Sequence, residues 1–442
     1  MSDAASLPMA GVSASGRPTA ALPTSALVRI SLFWLGLTAI DSVVNASIQS
    51  KVKFEGLVPA GTEGSALAIV GFLTFAFSVA VQPTVGSISD YAQTRWGRRK
   101  PFIVFGALFD AVFLLGIATS NTLMAIAAFA TLLAFSTNIA RGPFQGYVPD
   151  LVPDPQVGSA SAMVGLFQVL GNVVGFALAA LADIEGSVGL AIVAVAAIEV
   201  GTMLSVVLRV PNGPPAKPRN GRSWISIAAE TWGTDILQEH SYLWLLGSRF
   251  FILMAGSALL NFVKLYLADL QGLDQAGVGA TFLQMLLAAT LVSVLAIVPA
   301  ARLSDRFGRK PVIYVCSVLG ATGIGIVALA PDTPWLVIGA AIFGASQGTF
   351  LAVDWALMTD IIPKAASGRY MGLSNVVTAS SSAFATIVVG LTIDTFNRLQ
   401  GVGAGDRLGL AIGVISFIVG AVLLHPVREP ARPAVQAAEA AA

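Results

Sequence analysis

Residues 301–311 read Ala301-Arg302-Leu303-Ser304-Asp305-Arg306-Phe307-Gly308-Arg309-Lys310-Pro311. Earlier in the chain, Gly86-Ser87-Ile88-Ser89-Asp90 is followed, after the six residues Tyr91–Trp96, by Gly97-Arg98-Arg99-Lys100-Pro101. Pro101 and Pro311 lie 210 positions apart. A second motif keeps the same offset: Asp150-Leu151-Val152-Pro153 with Gly158 recurs as Asp360-Ile361-Ile362-Pro363 with Gly368. Two unrelated motifs sharing one spacing identify a duplicated unit of about half the chain.

The surroundings of these motifs say what the unit is. Of 442 residues only 11% are charged and 55% are hydrophobic, whereas soluble domains carry roughly 25% charged residues. A membrane-spanning helix takes about 20 apolar residues. Twelve apolar segments are legible, near 27–48, 65–89, 101–119, 122–147, 158–181, 187–208, 241–267, 277–301, 311–330, 334–359, 369–393 and 407–426. The expected fold is therefore an all-α membrane protein of twelve transmembrane helices, built as two parallel-repeat six-helix bundles, a plan used by one class of secondary transporters.

The rest of the chain divides around that plan. Residues 1–26, rich in Ala, Ser, Pro and Thr, form a disordered tail without the apolar core of a secretory signal. Residues 27–208 form the N-terminal bundle, 209–240 an inter-bundle linker, 241–428 the C-terminal bundle and 429–442 a second tail. In the linker, Trp224, Ile225, Ile227, Trp232, Ile236 and Leu237 suit a helix lying on the membrane surface. Eighteen of the 25 lysines and arginines fall on the side of both termini and five on the other. The excess of basic residues puts both termini in the cytoplasm, and the chain in the cytoplasmic (inner) membrane.

Several chemistries are excluded. The single Cys316 forms no intrachain disulfide. His240 and His425 leave no metal or triad set, and a net charge of +1 gives no nucleic-acid-binding face. There is no phosphate-binding Gly-x-x-x-x-Gly-Lys loop for ATP. The chain is not expected to be an enzyme, to bind a metal or to carry a cofactor. Its expected partners are the lipid bilayer, a small-molecule substrate and a proton or other cation, and it is expected to be a monomer.

The paired loops, Gly-x-x-x-Asp followed by Gly-Arg-Arg/Lys between segments 2 and 3 and again between 8 and 9, resemble the major facilitator superfamily. The extended first copy, Gly142-Pro143 in segment 4 and Gly171-Asn172-Val173-Val174-Gly175-Phe176 in segment 5, are similar to the sucrose–proton symporters, the wider glycoside–cation symporters and their bacterial relatives. The chain departs from them at Ala301, where the motif usually has Gly. It departs again at Ala134 and Gln145, where plant sucrose symporters carry a carboxylate and an arginine.

Ionisable groups at membrane depth cost roughly 2.5–3.5 kcal/mol each on insertion scales, so they mark function or pairing. Here they are Asp41, Asp110, Arg141, Glu199, Arg249 and Asp354. The resemblance implies that segments 1, 4, 7 and 10 line a central cavity, which gives each cavity helix one such group. Thr38, Asp41, Ser42, Asn45 and Gln49 share one helical stripe. Asn138, Arg141 and Gln145 share another, joined by Gln168, Asn172, Asn261, Gln347 and Trp355. Such groups suit a polyhydroxylated ligand, because each hydroxyl both donates and accepts. Trp34, Trp355 and Phe167 offer stacking surfaces for a sugar ring, and Lys264 is expected to snorkel to the interface.

The loop residues Gly86, Asp90, Gly97, Arg98, Arg99 and Asp150, and in the second half Asp305, Arg306, Gly308, Arg309, Asp360 and Arg369, are expected to form carboxylate–arginine gates on the cytoplasmic side. The resulting expectation is alternating-access import of a small sugar or glycoside with protons, with Asp41 as the first coupling candidate. The competing readings are proton-coupled efflux of amphipathic compounds and a non-transporting assembly or sensor protein on the same fold. Segment 5 lacks the proline of the efflux motif.

Overall fold

The protein is described by a computed structural model covering residues 18–216, 218–219, 221–224, 239–361 and 367–427. The side chains of Trp355, Asp360 and Arg369 lie outside the described residues, as do 225–238 of the linker, residues 1–17 and residues 428–442.

Among the described residues, twelve helices are long and apolar enough to cross a membrane. They are Thr24–Phe54, Glu63–Ser89, Lys100–Thr119, Leu123–Leu151, Asp154–Ile184, Val188–Arg209, His240–Leu260, Gln275–Phe307, Arg309–Leu329, Thr333–Met358, Leu373–Gln400 and Ala404–Leu424, here spans 1 to 12. Helices are the form in which an apolar chain satisfies its own backbone in lipid, and the connections are correspondingly short. Spans 5 and 6 are joined by Glu185–Ser187, with Gly186 at φ 66°. Thr122 caps span 4 by accepting from the Ala125 amide at 3.3 Å.

Two compact units emerge. Among the described residues, one holds the chain up to 224 together with 273–283, and the other holds 239–272 and the chain from 284 onward. Within the first unit, span 1 packs on spans 5 and 6, and span 3 on spans 4 and 6. Within the second, span 7 packs on spans 11 and 12, and span 9 on spans 10 and 12. The pairing scheme repeats, as the duplicated motifs require.

Lipid-facing surfaces are plainly apolar. Span 3 exposes Phe105, Leu108, Phe109, Val112 and Leu115, and span 8 exposes Leu287, Leu291, Leu295 and Val298. The open face of span 1 is different. Most of that helix is buried, and its exposed or half-buried positions include Thr38, Asp41 and Asn45. Polar and ionisable groups on membrane helices elsewhere face a bundle interior or a water-filled cavity.

Four sequence expectations need correction. Residues 18–26 are not a disordered tail: the Leu22 amide donates to Gln156 Oε1 at 2.7 Å, Gln156 Nε2 donates back to the Leu22 carbonyl at 2.8 Å, and helix begins at Thr24. The segment near 241–267 is not one helix. It breaks at Asn261–Phe262 and resumes as Val263–Gln271. Lys264 does not snorkel; the break turns Val263–Leu267 inward and buries it completely. Trp34 is no stacking surface either. It is packed in the apolar core of the first unit, its ring 5.6 Å from that of Phe144, and Phe167 packs against the same cluster.

Candidate functional site

At the end of the first unit that carries the loop between spans 2 and 3, the Gly-Arg-Arg motif closes a four-residue ion cluster. Arg98 donates to Asp150 Oδ1 and Arg99 to Asp150 Oδ2, both at 2.6 Å, while Arg99 also reaches Asp90 Oδ1 at 3.1 Å. Arg98 lies 3.8 Å from the same Asp90 oxygen. Both arginines and Asp150 are nearly buried. Forked guanidiniums on shared carboxylates make these bonds strong and directional. Arg99 additionally donates to the Pro143 carbonyl at 2.9 Å. A side chain at Gly146 would collide with its guanidinium, so the Gly142-Pro143-Phe144-Gln145-Gly146 run is the opening through which Arg99 passes.

Backbone demands explain the motif glycines. Gly97 has φ 85° and Gly308 φ 106°, a region that L side chains adopt only with strain. Each lies just before the motif arginines. Gly86 sits on the Gly142 carbonyl, where spans 2 and 4 cross closely. The linker joins in, because a Cβ on Gly97 would lie 2.9 Å from Asn212 Oδ1 and one on Gly213 would lie 3.2 Å from Asp150 Oδ2. In the second unit Arg309 donates to Asp305 at 2.7 Å, with Asp305 largely exposed, and the Arg306 guanidinium lies over the Phe307 ring. The Asp360 and Arg369 carboxylate and guanidinium, expected there, fall outside the described side chains.

Deeper in each unit, one ion pair joins the two helices expected to line the cavity. Arg141 of span 4 donates to Asp41 Oδ2 of span 1 at 2.6 Å. Arg249 of span 7 pairs with Asp354 of span 10. The polarity is reversed between the halves: the acid is on the first helix in one repeat and on the fourth in the other. Their surroundings differ too. The Asp41 side chain is 50% exposed and Arg141 20%, against 4% for Asp354 and 7% for Arg249. Arg249 has a further hydrogen bond to Thr378 Oγ1 at 3.3 Å.

The polar candidates sort by what they touch. Asn138 donates to Ser78 Oγ at 3.1 Å and to the Ala134 carbonyl at 2.7 Å, tying span 4 to span 2. Asn261 donates to Ser382 and Thr386 at 3.1 and 2.8 Å, tying the break after span 7 to span 11. Asn45 accepts from Gln49 at 2.8 Å on its own helix. Asn172 is exposed and accepts from Ser42 at 3.0 Å, and Gln145, in the last third of span 4, is exposed. Gln168 is half-buried, its carbonyl accepting from Thr38 at 3.0 Å. Gln347 is half-buried beside Gly256 of span 7. Asp110 and Glu199 are fully buried together between spans 3 and 6.

A sequence profile described as MFS/sugar transport protein matches residues 58–425. The chain belongs to that family. This MFS chain is 27% identical over 175 residues to the human membrane-associated transporter protein, covering 36% of the chain and 32% of that protein. It is 28% identical over 131 residues to the arabinose-proton symporter of Bacillus subtilis, with 29% and 28% covered. It is 26% identical over 129 residues to myo-inositol transporter 3 of Cryptococcus neoformans, with 29% and 20% covered. The matches thus span a fifth to a third of those relatives' own lengths. Among solved structures, the nucleoside transporter NupG superposes with a TM-score of 0.67 at 17% identity, covering 91% of this chain and 98% of that one. A bacterial homologue of the human lysosomal transporter Spinster, in an inward-facing and occupied conformation, gives 0.69 at 11% identity, covering 91% and 96%. These likenesses establish the fold alone; the family profile and the twelve long apolar helices among the described residues make the chain a multi-pass membrane protein.

Sequence reasoning did not find that Asn138 and Asn261 brace helices. Hydroxyl partners 60 and 121–125 residues away leave no local signal. It also missed the part played by Asn212 and Gly213, which look like ordinary linker residues until the fold sets them against Gly97 and Asp150.

Proposed function

We propose that this MFS transporter moves a small polyhydroxylated solute, a sugar or sugar alcohol, by alternating access with proton symport, and that the Asp41–Arg141 pair is where the proton and the solute act on each other. The observation that carries this reading is the pair's position: a 2.6 Å ion pair on the open polar face of an otherwise buried helix. The family profile and the printed names of the arabinose and myo-inositol relatives support the solute class.

The pair suits coupling because a carboxylate with a single cation partner on an open face can exchange that partner for a proton as the cycle moves the two helices. Solute hydroxyls arriving at Arg141 compete for its donors. Asn172 and Gln145, both exposed, supply further amide groups, which donate and accept as sugar hydroxyls require. Asn138 and Asn261 are left to hold helices together, the use such amides commonly have in membranes. Arg249–Asp354, being buried, is the fixed counterpart in the second repeat. The Asp90–Arg98–Arg99–Asp150 cluster braces spans 2, 3 and 4 at the side proposed to be cytoplasmic.

The solute class is tested by the thermal stability of purified protein with a panel of sugars, polyols, nucleosides and lipophilic cations. Binding to the folded state alone raises stability by about 2.7 kcal/mol at 100 times the dissociation constant. A rise with a sugar or polyol that is lost in Arg141→Ala is expected. Stabilisation by lipophilic cations alone points to efflux and contradicts the reading.

A further inference from the structure

In the first unit, Asp110 of span 3 and Glu199 of span 6 lie close enough to act on each other electrostatically, and both are inaccessible to solvent. Asp110 Oδ1 accepts from the Ser136 hydroxyl of span 4. Its other oxygen, and both oxygens of Glu199, meet no hydroxyl, amide or guanidinium donor in bonding geometry among the described residues. The backbone is tightly packed on either side. A Cβ on Gly36 of span 1 would lie 2.9 Å from the Glu199 Cα, and one on Gly106 of span 3 would lie 2.8 Å from the Ala140 amide nitrogen.

Ionised carboxylates are acceptors only. Two of them in contact present lone pair to lone pair, and a buried acceptor left without a donor carries its full desolvation cost. One proton between them removes both problems, since a carboxylic acid donates to its carboxylate neighbour. The charged groups facing the pair are few. Arg141 from span 4 and Asp41 from span 1 act on it electrostatically, Ser136 and the buried Thr137 present neutral hydroxyls, and the charged residues of span 5, Asp154 and Asp183, lie at that span's first residue and last turn.

We propose that Asp110 and Glu199 form a proton-binding carboxyl dyad, and that its proton exchanges with the Asp41–Arg141 pair. In the arrangement seen, the dyad keeps one proton and Arg141 is held by Asp41. When the dyad's proton passes to Asp41, the Asp41 carboxyl becomes neutral, the dyad gains one negative charge and Arg141 moves to it. Total charge is unchanged, and the proton leaves from Asp41 to water on the open face. The exchange step rests on the coupling reading above; the presence of a proton on the dyad does not.

Infrared difference spectroscopy of the full-length protein in lipid at neutral pH reads the dyad directly. A carbonyl stretch of a protonated buried carboxyl, shifted down in D2O, is expected in the wild type and in Asp41→Asn. It is expected to vanish in Glu199→Gln and Asp110→Asn, whose amides supply a donor without a proton. Because either variant can fail to fold, Ser136→Ala is measured as well: losing the hydroxyl on Asp110 is expected to move the band without abolishing it. A wild type without the band, a band surviving both amide variants, or one unmoved in Ser136→Ala overturns the dyad. A protein that shows the band but transports no sugar supports the dyad and overturns the transport reading alone.

Discussion

Asp41 and Arg141 meet at 2.6 Å, yet the acid is half-open and the guanidinium mostly enclosed, and that asymmetry sets what each substitution does. Asp41→Asn keeps size and hydrogen bonding but removes the titrating group, so proton-driven accumulation should fall to simple equilibration while solute exchange continues. Counterflow and gradient-driven uptake, measured side by side, separate the two. Asp150 has a different task. Its oxygens receive both Arg98 and Arg99 in a nearly buried cluster, and removing one partner of such a pair leaves charge uncompensated, at a cost of roughly 3–5 kcal/mol. Asp150→Asn should therefore lower unfolding stability in detergent far more than Asp305→Asn, whose carboxylate is largely exposed. Equal losses for the two would show that the first cluster is not a bracing element.

Elements show where local rules ended. The twelve spans and the repeated loops were legible because the bilayer imposes long apolar runs and the loops must place charge beside them. Gly97 and Gly308 were legible as motif letters, and their positive φ values give the letters a cause. Replacing Gly97 by Ala puts a side chain into a left-handed backbone, at a cost of about 1–2 kcal/mol, and crowds Asn212 as well. A lowered melting temperature that is partly restored by Asn212→Gly is the expected result, and full stability in Gly97→Ala would contradict it. The helix break at Asn261 was not legible, because no proline or glycine marks it and its compensation comes from Ser382 and Thr386 on span 11. The burial of Lys264 follows from that break. The sequence position of Lys264, near a span end, pointed the other way.

Across the whole molecule, the scarce charge is organised by the duplication. Among the described residues, an ion pair joins the first and fourth helices of each repeat, in opposite order, and the exposed pair is the one proposed to work. The charge asymmetry of the loops makes an independent prediction about orientation. Cys316 is fully buried, so a new surface cysteine is read without background. Gln93→Cys, in the loop between spans 2 and 3, should react with an impermeant thiol reagent only from the cytoplasmic side, and Glu185→Cys, between spans 5 and 6, only from outside. The reverse pattern would invert the topology and with it the direction of transport. The separation of the amides into helix braces and open groups came from the folded arrangement, since a polar residue in an apolar run looks the same in either role; Asp41 was already the first coupling candidate in the sequence, and the fold adds that its pair is the open one.

The most direct measurement is uptake of labelled sugars and polyols into proteoliposomes under an imposed pH gradient, alkaline inside, for the wild type and Asp41→Asn. Accumulation of at least one such solute by the wild type, abolished by a protonophore, is expected, with only equilibrating exchange by the variant. Accumulation by Asp41→Asn equal to that of the wild type would contradict it.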